Sequence, residues 1–144
     1  MKPCRGILAL ILVTLLFACG HKSGPDHVTV QHILIAFDGS IPKPEVTRSQ
    51  TEAMALAREL YKHAKAGENF DQLVKEYSDD SYPGIYKMAN QGVTVDKSKD
   101  EYPRSNMVKV FGDVSFNLPV NGISVANYDK KTSPYGWHII KRIE

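Results

Sequence analysis

The chain has 144 residues, with 18 Lys and Arg against 16 Asp and Glu, and two cysteines. Both cysteines and two of the basic residues, Lys2 and Arg5, lie in the first 20 positions, a segment with the composition of an export signal. Without Lys2 and Arg5 the 18 basic residues become 16, equal to the acidic ones. A chain this close to neutral carries no electrostatic footprint for nucleic acid, so we expect none as a partner.

Lys2 and Arg5 precede a largely apolar run over residues 7–17, which is shorter than the about 20 apolar residues that span a bilayer core. The following LFAC resembles the bacterial lipoprotein signal, in which the cysteine is lipidated and becomes the first residue. We therefore predict a signal peptide over 1–18 and a lipid anchor at Cys19. An ordinary signal cleaved after Ala18, or a buried core helix, remains the alternative.

Lipidation would make the protein an extracytoplasmic, membrane-anchored lipoprotein, with residues 19–26 as the lipidated cysteine and polar tether. By analogy with enteric sorting, Gly20 after the anchor favours the outer membrane over the inner one. The remaining residues, 27–144, are enough for one domain with a single core. This domain contains no cysteine, which excludes a disulfide framework, a thiol nucleophile and a cysteine-bearing metal site.

The first half of the domain predicts a strand followed by two helices. Residues 27–37, HVTVQHILIAF, carry apolar groups on both alternating faces, which favours a central strand. Ser49 and Glu52 form a capping box at the start of a helix that Gly67 closes. A second, short helix starts at Asn69, with its apolar residues on one face.

The second half predicts more strand than helix. Residues 85–91 indicate a short strand, and the polar, charged residues 94–106 indicate a loop insertion. A short helix from Met107 is followed by a strand after the turn at 119–122 and a closing strand, WHIIKRIE, over 137–144. Because the last two strands are joined by a turn, without regular βαβ alternation, the class is α+β with a mostly antiparallel sheet.

Two histidines, His32 and His138, stand directly before isoleucines inside the first and last predicted strands. An imidazole titrates near neutrality, so its placement in a buried strand needs a reason. With Asp80, two histidines could supply ligands to a metal ion, but ligand type is the sole support for that reading. A shared hydrogen bond that holds the sheet together is a purely structural alternative.

Four fragments in order resemble the parvulin family of peptidyl-prolyl cis–trans isomerases. They are HILI at 32–35, AGENFDQLVKEYSDD at 66–80, MVKVFGDVSFNLPVNGIS at 107–124, and SPYGWHIIKRIE at 133–144. The resemblance implies a parvulin-like, mostly antiparallel four-stranded sheet surrounded by about four short helices. It implies no cofactor and no metal, and a monomer that acts on proline-containing unfolded or nascent secreted polypeptides.

The resemblance also assigns site residues. It implies a catalytic group at the two strand histidines and the exit of the short helix, with a hydroxyl in the final turn, and an apolar pocket for the proline ring beside them. The catalytic set is His32, Asp80, His138 and Ser133, and the substrate-binding set is Met107, Phe111, Phe116 and Tyr135. We expect the histidines and Ser133 to form one hydrogen-bond chain that acts electrostatically, without covalent attack.

The sequence departs from the family in two places. The family's GGDLG segment, whose leucine lines the pocket, is replaced here by YPGIYKMANQG, which leaves Ile85 or Met88 as its substitute. The charged insertion after it is longer than in compact members. The loop after the first strand has only Lys43 and Arg48 where phosphate-selective members carry clustered arginines, so we expect no phosphate requirement.

Three functions of the domain remain to be distinguished. The first is a peptidyl-prolyl isomerase that assists folding of secreted or envelope proteins. The second is a non-catalytic chaperone or binding module on the same fold, which an insertion that fills the proline pocket would favour. The third, an inert scaffold, would leave His32 and His138 apart.

Overall fold

The computed structural model describes residues 24–144, so the predicted signal peptide and the lipid anchor at Cys19 lie outside the described residues. Three α-helices and five strands make up this part of the chain, together with two single-turn 3-10 segments at 97–99 and 104–106. In chain order the elements are β1 (His27–Ile35), α1 (Gln50–Lys65), α2 (Phe70–Tyr77), β2 (Ile85–Ala89), β3 (Tyr102–Pro103), α3 (Lys109–Asn117), β4 (Ile123–Ala126) and β5 (Trp137–Arg142).

The strands form one sheet in the order β3-β2-β1-β5-β4, so β1 is central, as its two apolar faces predict. β1 pairs antiparallel with both β2 and β5, and β4 pairs antiparallel with β5. Strand alternation separates two cores. Ile33, Ile35 and Ile139 pack with α1 and α2 on one face, and Val30 and Ile140 pack with α3 on the other.

The predicted four-stranded sheet is wrong in strand number, and the sheet is mixed: three of its four pairings are antiparallel as predicted, and the fourth is parallel. Residues 94–106 are not a loop alone, because Tyr102 and Pro103 add a fifth strand parallel to β2. Two residues in a polar segment give no alternating pattern, and proline lacks the N–H that a strand interior needs. Proline is tolerated here because β3 is at the edge of the sheet.

The expectation of about four short helices is also wrong, since the described residues contain three α-helices. The segment between β2 and α3 forms 3-10 turns in place of a further α-helix. Asp100 adopts φ 55°, a left-handed conformation that ends the first turn after three residues. The capping box of Ser49 and Glu52 is present at the start of α1 as predicted. None of the helices in residues 24–144 is long and apolar enough to cross a membrane.

Gly136, the residue before β5, allows the backbone to pass close to β1 because it has no Cβ. Its φ is 141°, and a Cβ at this position would lie 2.2 Å from the backbone oxygen of Ile35 on β1. We expect Gly136→Ala to lower the free energy of unfolding by at least about 2 kcal/mol, because β1 and β5 would have to separate beside His138. Chemical denaturation measures this loss, with Gly92→Ala as a control for positive φ alone, since nothing lies within 4 Å of its added Cβ. Equal losses in the two variants would contradict the close approach.

Candidate active site

The sheet register brings the two strand histidines together. On adjacent antiparallel strands, His32 is opposite Ile140 and His138 is opposite Leu34, so the histidines are diagonal neighbours on one face. This is the face that α3 covers, and both histidines are buried. Their rings stack with centroids 5.3 Å apart and planes inclined by 16°. The arrangement of an inert scaffold, with the two histidines apart, is therefore not the one observed.

A hydrogen-bond chain runs from the histidines to the exit of α2. His138 Nδ1 lies 3.1 Å from His32 Nδ1, and His32 Nε2 lies 2.9 Å from Asp80 Oδ2. The hydroxyl of Tyr86 on β2 donates to the same carboxylate oxygen at 2.8 Å. The four side chains therefore form one hydrogen-bonded group, which is built from three strands and the exit of α2. Its members are His138, His32, Asp80 and Tyr86.

These hydrogen bonds set the tautomer that each histidine has in its neutral form. The hydrogen bond from His32 holds the pKa of the Asp80 carboxyl well below its usual range, with further lowering from Tyr86, so Asp80 is an ionised acceptor. His32 then donates through Nε2 and accepts at Nδ1, and His138 must donate through Nδ1. His138 Nε2 is left as a bare acceptor, and it is the buried side-chain nitrogen without a partner within residues 24–144.

Burial keeps His138 neutral and the phenol of Tyr86 protonated. Burial lowers the pKa of His138, and the adjacent His32 ring lowers it further. Burial also raises the pKa of Tyr86, as does its hydrogen bond to Asp80. At neutral pH the group therefore has a neutral His138, a protonated phenol and one carboxylate.

A cavity of about 430 Å³ opens beside the hydrogen-bond chain of His138, His32 and Asp80. Met107, just before α3, and Phe111, in its first turn, form the apolar wall of the cavity, and the Phe111 ring meets His32 edge-on at 5.1 Å. The turn before β5 positions this wall, because the carbonyl of Thr132 accepts a hydrogen bond from the N–H of Val110 at 3.2 Å. Of the charged insertion 94–106, only Asn106 reaches the lining, so the insertion does not fill the cavity.

Tyr86 is a cavity residue of the hydrogen-bonded group that the sequence did not indicate. We considered Ile85 and Met88 as substitutes for the family's leucine, but Ile85 is 43% exposed and Met88 lies in the core, and neither lines the cavity. Tyr86 lies between them and contacts Phe111 edge-on at 5.8 Å. Strand alternation from the buried Met88 would have placed Tyr86 on the same face as Met88, which is the signal that was available.

Of the remaining predicted site residues, Tyr135 lines the cavity, whereas Ser133 and Phe116 do not. Tyr135 lines the cavity and is 47% exposed. Ser133 is fully buried, and its hydroxyl donates to the carbonyl of Gly136 at 3.4 Å. The hydrogen-bond chain of the histidines therefore does not include Ser133, contrary to our expectation. Phe116 does not line the cavity; it packs in the core behind it, under the guanidinium of Arg104.

The loop after β1 closes the other side of the cavity, with Ile41, Pro42 and Lys43 in the lining. Arg48 holds this loop through an ion pair with Asp79 and a hydrogen bond to the carbonyl of Ala36 at 3.0 Å. Lys43 Nζ donates to the carbonyl of Asp79 at 2.6 Å. Both basic residues of the loop are thus already engaged. Residues 24–144 contain no group of three or more His, Cys, Asp or Glu side chains arranged to hold a metal ion.

The fold and site define an α+β domain with a histidine pair, one carboxylate and an apolar cavity over a central sheet. The model of the PPIC-type PPIASE domain family matches residues 13–144. The chain belongs to this peptidyl-prolyl isomerase domain family, which includes the parvulins.

Curated relatives agree with this assignment. The chain is 34% identical to the chaperone SurA of Pseudomonas fluorescens strain Pf-5 over 116 residues, which are 81% of this chain and 22% of that protein. It is 30% identical to the foldase protein PrsA 4 of Bacillus cereus over 100 residues, 69% of this chain and 31% of that protein. The chain therefore spans about a quarter of the length of the curated relatives it matches.

Solved structures share the fold. PrsA from Bacillus subtilis is 27% identical and superposes with a TM-score of 0.52, covering 83% of this chain and 35% of PrsA. The solution structure of TbPIN1 is 20% identical with a TM-score of 0.61, and covers 83% of this chain and 98% of TbPIN1. The parvulin-like α+β fold that the resemblance implied is confirmed.

Proposed function

We propose that this domain is a peptidyl-prolyl cis–trans isomerase that assists the folding of proline-containing unfolded or nascent secreted polypeptides. The observation that carries the proposal is the open apolar cavity of Met107 and Phe111 directly beside the Asp80–His32–His138 chain. Its size and lining suit a proline ring with the preceding carbonyl near the polar chain.

Isomerisation of a prolyl bond requires neither a covalent bond to a nucleophile nor coordination to a metal ion. Rotation about the prolyl C–N bond has a barrier of ~18–20 kcal/mol because the amide has partial double-bond character. An acceleration of roughly 10⁴-fold requires about 5.4 kcal/mol of preferential transition-state stabilisation. Met107 and Phe111 hold the ring while the carbonyl side turns, and the polar chain fixes the electrostatic environment of the twisting amide.

In this proposal Asp80 supplies the carboxylate charge of the hydrogen-bond chain, His32 orients that carboxylate, and His138 orients His32. We expect Asp80→Asn, which keeps the shape and removes the charge, to lower kcat/KM about tenfold, equivalent to about 1.4 kcal/mol. Asp38→Asn is the matched control, because Asp38 is exposed and outside the cavity lining. A peptide isomerisation assay measures both, and an Asp80→Asn rate equal to that of Asp38→Asn would remove Asp80 from the mechanism.

The proposed substrates carry no phosphate. Arg48 is neutralised by Asp79, and Lys43 lies beside the backbone of Asp79, so the cavity rim offers no free cationic cluster within the described residues. We expect kcat/KM for a phosphoserine–proline peptide to be no higher than for its serine–proline counterpart. A preference of about tenfold or more for the phosphorylated peptide would contradict this reading.

We further propose that the protein lies outside the cytoplasm, anchored to a membrane through lipidated Cys19. It is proposed to be a monomer, and the outer membrane is favoured over the inner one. The export-signal composition of residues 1–18 supports the compartment, and the relatives named chaperone SurA and foldase protein PrsA 4 support a role in protein folding. Mass spectrometry of the purified protein tests the anchor. A mature first residue of acylated Cys19 is expected, and an unmodified chain that begins after Ala18 would replace the lipoprotein with a freely secreted protein.

Proline-limited refolding of a model protein, with the full chain added in catalytic amounts, tests the central proposal. Acceleration at a molar ratio far below one establishes an isomerase. The relatives named chaperone favour a second candidate, a non-catalytic binding module. Unchanged or slowed refolding, together with binding to the unfolded chain, would establish that second function.

A further inference from the structure

The outer edge of β2 is open next to the cavity. β1 pairs with β2 along its whole length, from Ile85 to Ala89. On the other side, β3 pairs with β2 only at Met88 and Ala89. Within residues 24–144, no strand therefore accompanies Ile85, Tyr86 and Lys87 on that side.

The register shows which backbone groups point outward. The N–H of His32 on β1 donates to the carbonyl of Gly84 at 3.0 Å, so this pair is a hydrogen-bonded one. Antiparallel pairs alternate, and Tyr86 therefore faces β1 while Ile85 and Lys87 face away from it. Thr29, opposite Lys87, confirms the alternation, because its N–H donates to Glu144 on the side away from β2.

Three polar backbone groups are thus presented at this edge. They are the N–H and C=O of Ile85 and the N–H of Lys87, which face away from β1, lie outside the pairing with β3 and have no partner in the turns and loops of the described residues. Exposed strand edges are commonly blocked by proline or by a covering segment, since they invite pairing with another chain. Here the covering segment, β3, stops short of Ile85.

This edge is continuous with the cavity. Tyr86, the middle residue, points into the cavity and forms part of its lining. Its ring lies 6.1 Å from that of Tyr102, which is 48% exposed, and the side chain of Ile85 is 43% exposed. Apolar surface therefore extends from the cavity to both sides of the open edge.

We propose that the open edge of β2 binds the residues that flank the proline of an extended polypeptide, which adds to the sheet as a sixth strand. This inference rests on the proposed function, because it takes the occupant of the cavity to be a proline-containing chain. Main-chain hydrogen bonds are independent of sequence, and an extended segment can also place alternate side chains on Ile85 and Tyr102. The edge therefore fits unfolded polypeptide of diverse sequence and gives long substrates an affinity that short peptides lack.

Backbone methylation of the ligand tests the pairing without altering the protein. A twelve-residue proline peptide is compared with a tetrapeptide that fills only the cavity, and each flanking amide of the long peptide is N-methylated in turn. Each lost hydrogen bond is expected to weaken binding about 3- to 10-fold. The effect should alternate with a period of two residues, because only every second residue of an added strand faces β2.

A protein variant provides a second measurement. Lys87→Pro removes the outward N–H and leaves the β1 ladder intact, whereas Lys87→Ala keeps the N–H and removes only the side chain. Lys87→Pro is expected to lower the affinity for the long peptide relative to the tetrapeptide, and Lys87→Ala to preserve that ratio. If Lys87→Pro does not fold, hydrogen exchange of wild-type Ile85 and Lys87 amides decides, and slower exchange with the long peptide supports pairing.

The outcomes separate this inference from the function on which it rests. Turnover of the tetrapeptide tests isomerisation and involves only the cavity. Normal tetrapeptide turnover with equal affinities for the long and short peptides would overturn strand addition alone. N-methylation that weakens binding at every position equally would do the same. Absence of turnover with an alternating pattern would retain the edge as a binding surface and overturn isomerisation.

Discussion

Met107→Ala is expected to lower the isomerase kcat/KM about tenfold, and Met107→Ala combined with Phe111→Ala about 30- to 50-fold. A proline ring offers three methylenes, each worth about 0.8 kcal/mol when buried, or roughly 2.4 kcal/mol in total. The single variant removes part of this wall, and the double variant removes most of it. Initial rates of proline-limited refolding and of peptide isomerisation measure the loss.

Stability must be separated from activity in this series. Phe111 is 3% exposed and its ring meets both histidines, so its alanine variant is expected to cost about 3–5 kcal/mol of folding free energy. Met107 is only partly buried, and Phe111→Leu preserves most of the packing volume; these two variants carry the test if the double variant unfolds. Val120→Ala is the control, since Val120 is 52% exposed and outside the cavity. Wild-type rates in a folded Met107→Ala protein would contradict the pocket assignment.

Lowering the pH from 7 to 5.5 is expected to reduce the free energy of unfolding through His138 by about 1 kcal/mol. Its folded pKa is lowered by burial, whereas the unfolded value is about 6.5. Below about pH 6.5 the unfolded state therefore binds more protons than the folded state. The contribution of His138 is complete above that pH and is lost as the pH falls toward the folded pKa.

The surroundings of His138 Nε2 give the reason in structural terms. A proton on this nitrogen would create a buried charge with no hydrogen-bond acceptor among residues 24–144. Denaturant unfolding at several pH values measures the slope, and His138→Asn, which does not titrate, should flatten it between pH 7 and 5.5. An unchanged slope in His138→Asn would assign the dependence to another histidine.

Asp80 affects the free energy of unfolding at lower pH than His138 does, so the two contributions can be measured separately. Its folded pKa is depressed first by the hydrogen bond from His32, so its stabilising contribution is present above the unfolded value of about 3.9. That contribution is lost as the pH falls through the folded pKa. Asp80 therefore contributes to acid unfolding below pH 4, in a range separate from the contribution of His138 above pH 5.

Local patterns in the sequence predicted most of the regular elements. Alternation in β1, the capping box at Ser49 and the apolar spacing of α1 and α2 depend on residues a few positions apart, and the structure has all of them. β3 could not be predicted in this way, because a two-residue parallel edge strand is defined only by its partner, β2. The same holds for the 3-10 turns that replaced the expected fourth helix.

The site residues likewise fall into those that the sequence predicted correctly and those that only the structure placed. The family fragments indicated His32, Asp80, His138, Met107, Phe111 and Tyr135, and the structure places all six in the lining of one cavity. Ser133 and Phe116 share those fragments but lie behind the cavity, since their side chains point into the core. Tyr86 lay in the segment that departs from the family, so no fragment pointed to it.

By itself the sequence determined the membership of the family, the central strand, the helices and the identity of the histidine pair. Those properties follow from short-range periodicity and from residue types that few other arrangements need. Only the tertiary structure decided that Tyr86 completes the carboxylate chain, that Arg48 is neutralised by Asp79, and that the edge of β2 is open. Each of these depends on groups that belong to different elements of the fold or on backbone groups left unpaired, and the pairing of such groups is set by the packing of the whole domain.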